Sequence, residues 1–283
     1  CEAKAVEYSE EAVKYGGKLK IHIKVDTGMS RLGYICEGDY FQHGVDGICY
    51  ACGLPGLEAE GIFTHFAVAD EHDSNSAVYT EHQFKLFVDV INEVEKKRGC
   101  RFALRHCANT GATADLPETY LDMVRPGLLL YGYGEFAKKL GLKPVMTMKT
   151  TVSTIKIYPA GTKISYGGLY TTEAQTRIGV VPYGYADGFL RCLSNRYSVM
   201  TSEGPAEVRG RICMDMCMID LTGKPGVGVG DEIEIFGSSN PIENMAELAD
   251  TIPYEIVCAV SKRVHRVYIS EGETVYSEVM LRM

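Results

Sequence analysis

Ile21-His22-Ile23-Lys24-Val25-Asp26-Thr27-Gly28-Met29-Ser30-Arg31-Leu32-Gly33 is the stretch on which the fold turns. An apolar, strand-like run ends in a glycine-containing turn that gathers a lysine, an aspartate and an arginine. An α/β barrel displays its chemistry in this way, at the C-terminal ends of its strands. The segments that follow keep the same rhythm. Lys18–Val25 reads as a strand, Tyr40–Cys52 as a helix, and Leu57–Phe66 as a strand ending in Thr64-His65. Thr80–Lys97 is an amphipathic helix, with Phe84, Phe87, Val88, Ile91 and Val94 at helical spacing. Arg101–His106 is a further strand, Asn109-Thr110 opens the next helix, and Met123–Tyr131 reads as a last strand interrupted by Arg125-Pro126-Gly127. Repeated β-α units imply parallel strands joined by right-handed crossovers.

The second half changes character. Short β-branched runs separated by Gly, Pro and Asn turns occupy Met146–Tyr158, Arg177–Pro182, Tyr197–Met200, Ala206–Ile212, Met216–Leu221 and Glu232–Phe236. Ile242–Asp250 and Pro253–Ala259 read as helices. Such a pattern predicts an antiparallel β domain. The fold class expected is therefore α/β plus β: part of a (β/α)8 TIM-type barrel, then a mainly antiparallel β domain. The boundary lies within Gly134–Leu142, which assigns 1–136 to the barrel portion and 137–283 to the β domain. Gly223–Gly230 lacks a GK[ST] and leads into a strand, so it reads as a loop and not as a phosphate cradle.

Composition narrows the function. The 283 residues are 46% hydrophobic and 23% charged, with a net charge of −8. No basic block suits nucleic acid, and no run of about 18 apolar residues suits a membrane span. The ten cysteines are scattered, in a chain too large and regular to need a disulfide framework, so reduced thiols and a cytoplasmic setting are expected. Cys49 and Cys52 form a CxxC, but no second CxxC or paired histidine follows at zinc-site distance. No metal site is expected.

Lys24, Asp26, Arg31, His65, His106, Asn109, Thr110 and Arg125 all fall at or just past predicted C-terminal strand ends, which form one rim in a barrel. The cluster is cationic and suits a carboxylate, a phosphate or both. Asn109-Thr110 reads equally as a helix cap and as a phosphate-binding helix start. In the second half, Tyr166 sits in a glycine-flanked turn (Ile164–Tyr170), Tyr185 in another (Tyr183–Gly188), and Met214-Asp215 among sulfur and apolar residues in Gly210–Met218.

Taken in order, KVDTGMSRLG, FTHFAVADE, HCANTGAT, VRPGLLLYG, ISYGGLYT, PYGYADG, GRICMDMCMID and IPYEIVCAVSKRVHRVY resemble the alanine racemases, from about residue 18 to about residue 268. The resemblance implies a fold-type III enzyme using pyridoxal 5′-phosphate to interconvert L- and D-alanine, supplying D-alanine for peptidoglycan from a cytoplasmic homodimer whose subunits share sites. It implies that Lys24 is a carbamylated lysine orienting Arg31, and that Arg31 holds the substrate carboxylate. His65 would link the catalytic tyrosine, Tyr166, to Arg125, which bonds the pyridine nitrogen. Asn109, Thr110, Gly127, Leu128 and Tyr254 would hold the phosphate. Met214 and Asp215 would reach the partner subunit's site, and Tyr185 would narrow substrate entry. Thr110 stands where the family often has Ser, and the hydroxyl is kept.

The family's Schiff-base lysine lies in a segment like A-V-x-K-A-N-A-Y-G-H-G, and no such segment occurs in this sequence. A barrel needs about 200 residues, whereas 136 precede the β domain here. The expectation is a C-terminal portion of a racemase, lacking about 100 barrel residues and inactive alone. The alternatives are a serine racemase of the vancomycin-resistance type, which would make this the cytoplasmic domain of a membrane-fused enzyme, and a non-catalytic pyridoxal-phosphate-binding barrel protein. Tyr254 beside Glu255 fits the alanine-type pattern, and the β domain that supplies Tyr166 is absent from the small carrier proteins.

Overall fold

A computed structural model describes residues 1–278. They form two units, Cys1–Leu130 and Tyr131 onward. The first opens with a helix that the sequence reading did not anticipate, Glu2–Lys14 (α1). It then runs Leu19–Asp26 (β1), Tyr34–Ile35 (β2), Phe41–Gly53 (α2), Leu57–Phe63 (β3), Ser74–Arg98 (α3), Leu104–His106 (β4) and Thr110–Asp115 (α4). The four strands form one sheet in the order β2-β1-β3-β4, and every pairing is parallel. These are barrel-type β-α units, as the periodicity required.

One face of the sheet makes the core. Ile23 and Val25 of β1 and Ile62 of β3 are fully or nearly fully buried in a cluster with Val45 and Ile48 of α2 and Phe87, Val90 and Ile91 of α3. Alternation along a strand sends the intervening residues to the other face. Pairing aligns Lys24 with Phe63 and His106 in one row, and His22 with Gly61 and Leu104 in the next. The polar groups of β1 and β4 therefore share one face, across Gly61 and Phe63 of β3, for the same reason that the apolar ones share the other.

Three boundaries differ from the sequence reading. Helix α3 starts at Ser74, earlier than expected, because Asp73 caps it by accepting the N–H groups of Asn75 and Ser76. Strand β3 stops at Phe63, which leaves Thr64 and His65 just beyond its end. Met123–Tyr131 is not a strand. Arg125 N–H reaches Ala108 O, Pro126 has no N–H to offer, Gly127 N–H goes to Thr110 Oγ1, and Leu128–Tyr131 closes as a 3-10 turn.

The second unit begins with Gly134–Lys139 (α5) and continues through Met148–Thr151 (β5), Thr154–Tyr158 (β6), Lys163–Ile164 (β7), Tyr170–Thr171 (β8), Thr176–Val181 (β9), Ser198–Thr201 (β10), Gly204–Glu207 (β11), Cys217–Asp220 (β12) and Glu232–Phe236 (β13). Ile242–Leu248 (α6) and Pro253–Ala259 (α7) follow, then an unanticipated hairpin, Arg266–Ser270 (β14) with Glu273–Glu278 (β15). All strand pairings in this unit are antiparallel, in sheets ordered β11-β10-β13-β5 and β12-β9-β6 with two small hairpins. The run expected as one strand over Met146–Tyr158 breaks at Val152-Ser153 and feeds both sheets. The Gly223–Gly230 segment is a loop, braced by Arg177, whose Nη1 and Nη2 donate to Lys224 O and Val227 O. All ten cysteines are free thiols. Among the described residues no helix is long and apolar enough to cross a membrane.

Candidate functional site

In the first unit the chemistry centres on Arg125. Its Nη1 donates to His106 Nδ1 at 2.6 Å, and its Nη2 meets Thr64 O at 2.8 Å, His65 Nδ1 at 3.2 Å and Cys107 O at 3.3 Å. The guanidinium also lies over the Phe63 ring, 5.4 Å from its centroid. An arginine only donates, so both imidazole Nδ1 atoms accept and each ring carries its hydrogen on Nε2. His106 Nε2 then donates to His22 Nδ1 at 2.7 Å, and His22 Nε2 faces Glu60 Oε2 at 3.5 Å. The result is a one-directional chain, Arg125 to His106 to His22 to Glu60. Gly61 leaves room for it: a Cβ there would lie 2.5 Å from His22 Nδ1.

The charges nearby are mainly cationic, with Asp26 and Asp70 as the opposing carboxylates. Lys24 has its pKa lowered, first by burial and then by the Arg31 cation. His65 is lowered by burial and by Arg125, Arg31 and Lys24 in turn. His106 falls to about 4, from burial first and Arg125 second, so it is neutral at pH 7. Lys24, Arg31 and Arg125 thus form a cationic group that disfavours protonation of the His65 and His106 imidazoles. Asp26 does not cancel it by direct contact; its Oδ1 instead accepts the Gly28 and Ser30 N–H groups and shapes the turn that carries Arg31.

The strand-end loops are fixed from behind by Gln83, which is fully buried on α3. Its Oε1 accepts Ala67 N–H, and its Nε2 donates to Thr27 Oγ1 and His65 O. Thr27 and Thr64 hydroxyls meet at 2.7 Å. Asn109 caps α4 by accepting Ala112 N–H, and Thr110 Oγ1 accepts Gly127 N–H, which brings the 109–110 and 127–128 segments together. Sequence reasoning missed Gln83, and it missed the joint role of His22 and His106. The available signals were a polar residue on the apolar stripe of α3, and the two-residue spacing of His22 and Lys24 on β1.

The second unit presents Tyr166 differently. Ser165 has φ +63° and ψ −175°, a region almost reserved for glycine, and its Oγ donates to Arg211 O at 2.7 Å. Tyr166 then projects outward, 71% exposed. It borders a cavity of about 400 Å³ lined by Lys156, Tyr158, Lys163, Ser165 and Cys213 over Ile178, Val180 and Met218. Tyr185, Met214 and Asp215 share a second cluster, in which Tyr185 and Ala186 N–H donate to Cys213 and Met214 carbonyls. Tyr254 lies in the first turn of α7, behind Pro253.

Residues 1–135 match the family model described as alanine racemase, N-terminal domain, and residues 145–268 match alanine racemase, C-terminal domain. The chain is 47% identical to the alanine racemase of Desulforamulus reducens over 259 residues, covering 90% of this chain and 68% of that protein. The crystal structure of alanine racemase from Clostridium difficile 630 superposes with a TM-score of 0.88 at 34% identity, over 100% of this chain and 73% of that one. The Bacillus anthracis alanine racemase with bound L-Ala-P does so with a TM-score of 0.85 at 32% identity, over 96% and 71%. Barrel-type parallel strands, an antiparallel β domain and a cationic strand-end cluster define the class: an isomerase built for pyridoxal 5′-phosphate. The chain belongs to the alanine racemase family.

Arg125 tests whether the site suits that cofactor. Its hydrogen-bond partners among the described residues engage Nη1 and Nη2 and not Nε–H. A half-buried guanidinium held in place through Nη1 and Nη2, and reluctant to give up its proton, suits a ring nitrogen lone pair, so the residues present fit the group.

Proposed function

We propose that this chain carries, for alanine racemisation by a two-base route, the residues that bind and orient the substrate and one of the two bases, Tyr166; the family's other base, the Schiff-base lysine, has no matching segment in this sequence. Bound pyridoxal phosphate supplies the electron sink that acidifies the substrate Cα–H. Arg125 donates a hydrogen bond to the ring nitrogen without protonating it, because a guanidinium holds its proton to a pKa above about 12. That restrains charge build-up on the ring and favours return of the proton over side reactions. Arg31 receives the substrate carboxylate. Lys24, with its pKa lowered by burial, offers more neutral amine to CO2: its nitrogen bonds the carbon, a proton leaves, and the carbamate orients Arg31. His65 Nε2–H is the donor left for the tyrosine phenol.

Tyr166 takes the Cα proton from one face. Asn109, Thr110, Gly127, Leu128 and Tyr254 hold the phosphate, Met214 and Asp215 border the substrate, and Tyr185 narrows its entry. Exposed Tyr166 and Met214 support a homodimer in which each β domain completes the partner's site. D-alanine for peptidoglycan is the product used. The domain boundary we favour, between residues 136 and 137, lies a few residues past the Leu130 division and is supported by the span between the two family matches.

The observation carrying this reading is the Arg125 environment, a guanidinium held by His106 Nδ1, His65 Nδ1 and Thr64 O, which supports its role as the ring-nitrogen donor. Tyr166→Phe in the holoenzyme is expected to abolish L-alanine racemisation while cofactor absorbance is retained; unchanged turnover refutes the base role. L-serine run in parallel is expected to be the poorer substrate.

A further inference from the structure

Arg263 follows α7, and none of the roles above uses it. Its Nε donates to Asp187 Oδ1 and its Nη2 to Asp215 Oδ1, each at 2.7 Å. The two carboxylates belong to different loops. Asp187 closes the Tyr183–Gly188 turn: its Oδ2 accepts Gly184 N–H at 2.9 Å, its N–H reaches Gly184 O at 3.0 Å, and its carbonyl accepts Ser261 N–H at 3.0 Å. Its side chain is only 13% exposed, so it anchors the guanidinium firmly. Asp215 sits at the tip of the 210–216 loop, closed by Cys213 N–H to Met216 O at 2.9 Å.

The same two loops are zipped along their backbones. Tyr185 N–H donates to Cys213 O at 3.0 Å and Ala186 N–H to Met214 O at 2.9 Å. Gly184 permits this approach, since a Cβ there would lie 2.3 Å from Met214 O. Arg263 therefore stands at the far end of a two-loop assembly whose near end presents Tyr185 and Met214. It also cancels the one carboxylate on the 210–216 loop. A bare carboxylate there would oppose an amino-acid carboxylate entering the same region, by like-charge repulsion that a partly exposed site does not fully screen.

We propose that Arg263 is a positioning residue for racemisation, which locks the Tyr185 and Met214 loops in register and neutralises Asp215 so that the loop accepts a substrate carboxylate. The proposal rests on the reading that Tyr185, Met214 and Asp215 border the substrate.

The test is Arg263→Met beside Arg263→Lys, in the purified holoenzyme. Arg263→Met is expected to raise KM for L-alanine about five- to tenfold with kcat changed less than about twofold, the signature of lost binding and not of lost chemistry. Arg263→Lys recovers most of that loss. Raising the salt to about 0.5 M shortens the screening length to roughly 4 Å, so it lowers the KM of Arg263→Met toward the parental value while the parent's own KM changes less. A KM unmoved by Arg263→Met, or a loss that salt does not relieve, overturns the charge role. Hydrogen exchange at the Tyr185 and Ala186 amides is read without substrate: acceleration in Arg263→Met supports the locking role, and unchanged exchange overturns it. A parent that racemises no alanine refutes the functional reading, and the exchange result still decides the lock.

Discussion

Arg125 Nη1 donates to His106 Nδ1 across 2.6 Å, and this one contact fixes the tautomers of a chain that runs through His22 to Glu60. His106 is 4% exposed and stacks on Phe63, with ring centroids 5.0 Å apart. Replacing it by Phe keeps the ring and removes both nitrogens. Arg125 then loses an acceptor and His22 a donor inside the protein, where each unmet polar group costs about 1–3 kcal/mol. His106→Phe is expected to lower unfolding stability by about 2–4 kcal/mol in urea, beyond the cost of ring exchange alone. A loss under about 1 kcal/mol shows that the chain carries no stability.

The same residue sets an acid limit. Burial and Arg125 take His106 from 6.5 to about 4 in the folded protein. Between those values the unfolded chain binds a proton that the folded chain refuses, so stability rises with pH across the window and is lost as pH falls from about 6.5 toward 4. The contribution fully present above pH 6.5 is on the order of 3 kcal/mol. His65 is lowered by the same kinds of cause and adds in the same direction. Urea midpoints measured from pH 7.5 to 4.5 should fall, and His106→Phe should flatten the slope.

Gln83 joins three segments that the sheet alone leaves loose. Gln83→Met has similar volume and no polar atoms, so Ala67 N–H loses its acceptor and His65 O and Thr27 Oγ1 lose a donor. A stability loss of about 2–4 kcal/mol is expected. His65 should also lose its fixed orientation, which a broadened histidine NMR resonance would report. An unchanged resonance means that Arg125 alone holds the ring.

Much of this architecture was legible in the sequence because apolar periodicity encodes it. β1, α2 and α3 follow runs with clear two- or 3.6-residue spacing, and the change from β-α units to short strands marks the second unit. Elements whose signal was short or ambiguous were harder. α1 buries only Ala5 and Ser9, so it carries almost no apolar stripe to read. Leu128-Leu129-Leu130-Tyr131 has strand composition, but Pro126 and the Thr110–Gly127 bond decide its path. The rim cluster could be named residue by residue, since each member except Arg125 sits at or just past the end of a strand. Its wiring could not, because Gln83, His22 and Arg263 act through partners between 16 and 84 positions away.

Ser165 gives the sharpest test of how Tyr166 is presented. Its backbone lies where side chains other than glycine's hydrogen are strained by about 1–3 kcal/mol, and its hydroxyl bond to Arg211 O holds it there. Ser165→Ala keeps the strain and loses the bond, so it should destabilise by about 1–2 kcal/mol and lower racemisation as Tyr166 drifts. Ser165→Gly loses the same bond but also removes the strain. It should melt within a few degrees of the parent, or above it, while still lowering kcat, because the hydroxyl bond from the Tyr166 turn to Arg211 O of the 210–216 loop is gone. Thermal melts and steady-state rates on the pair separate the two effects. Equal stability of the two variants would show that the positive φ stores no strain at this position.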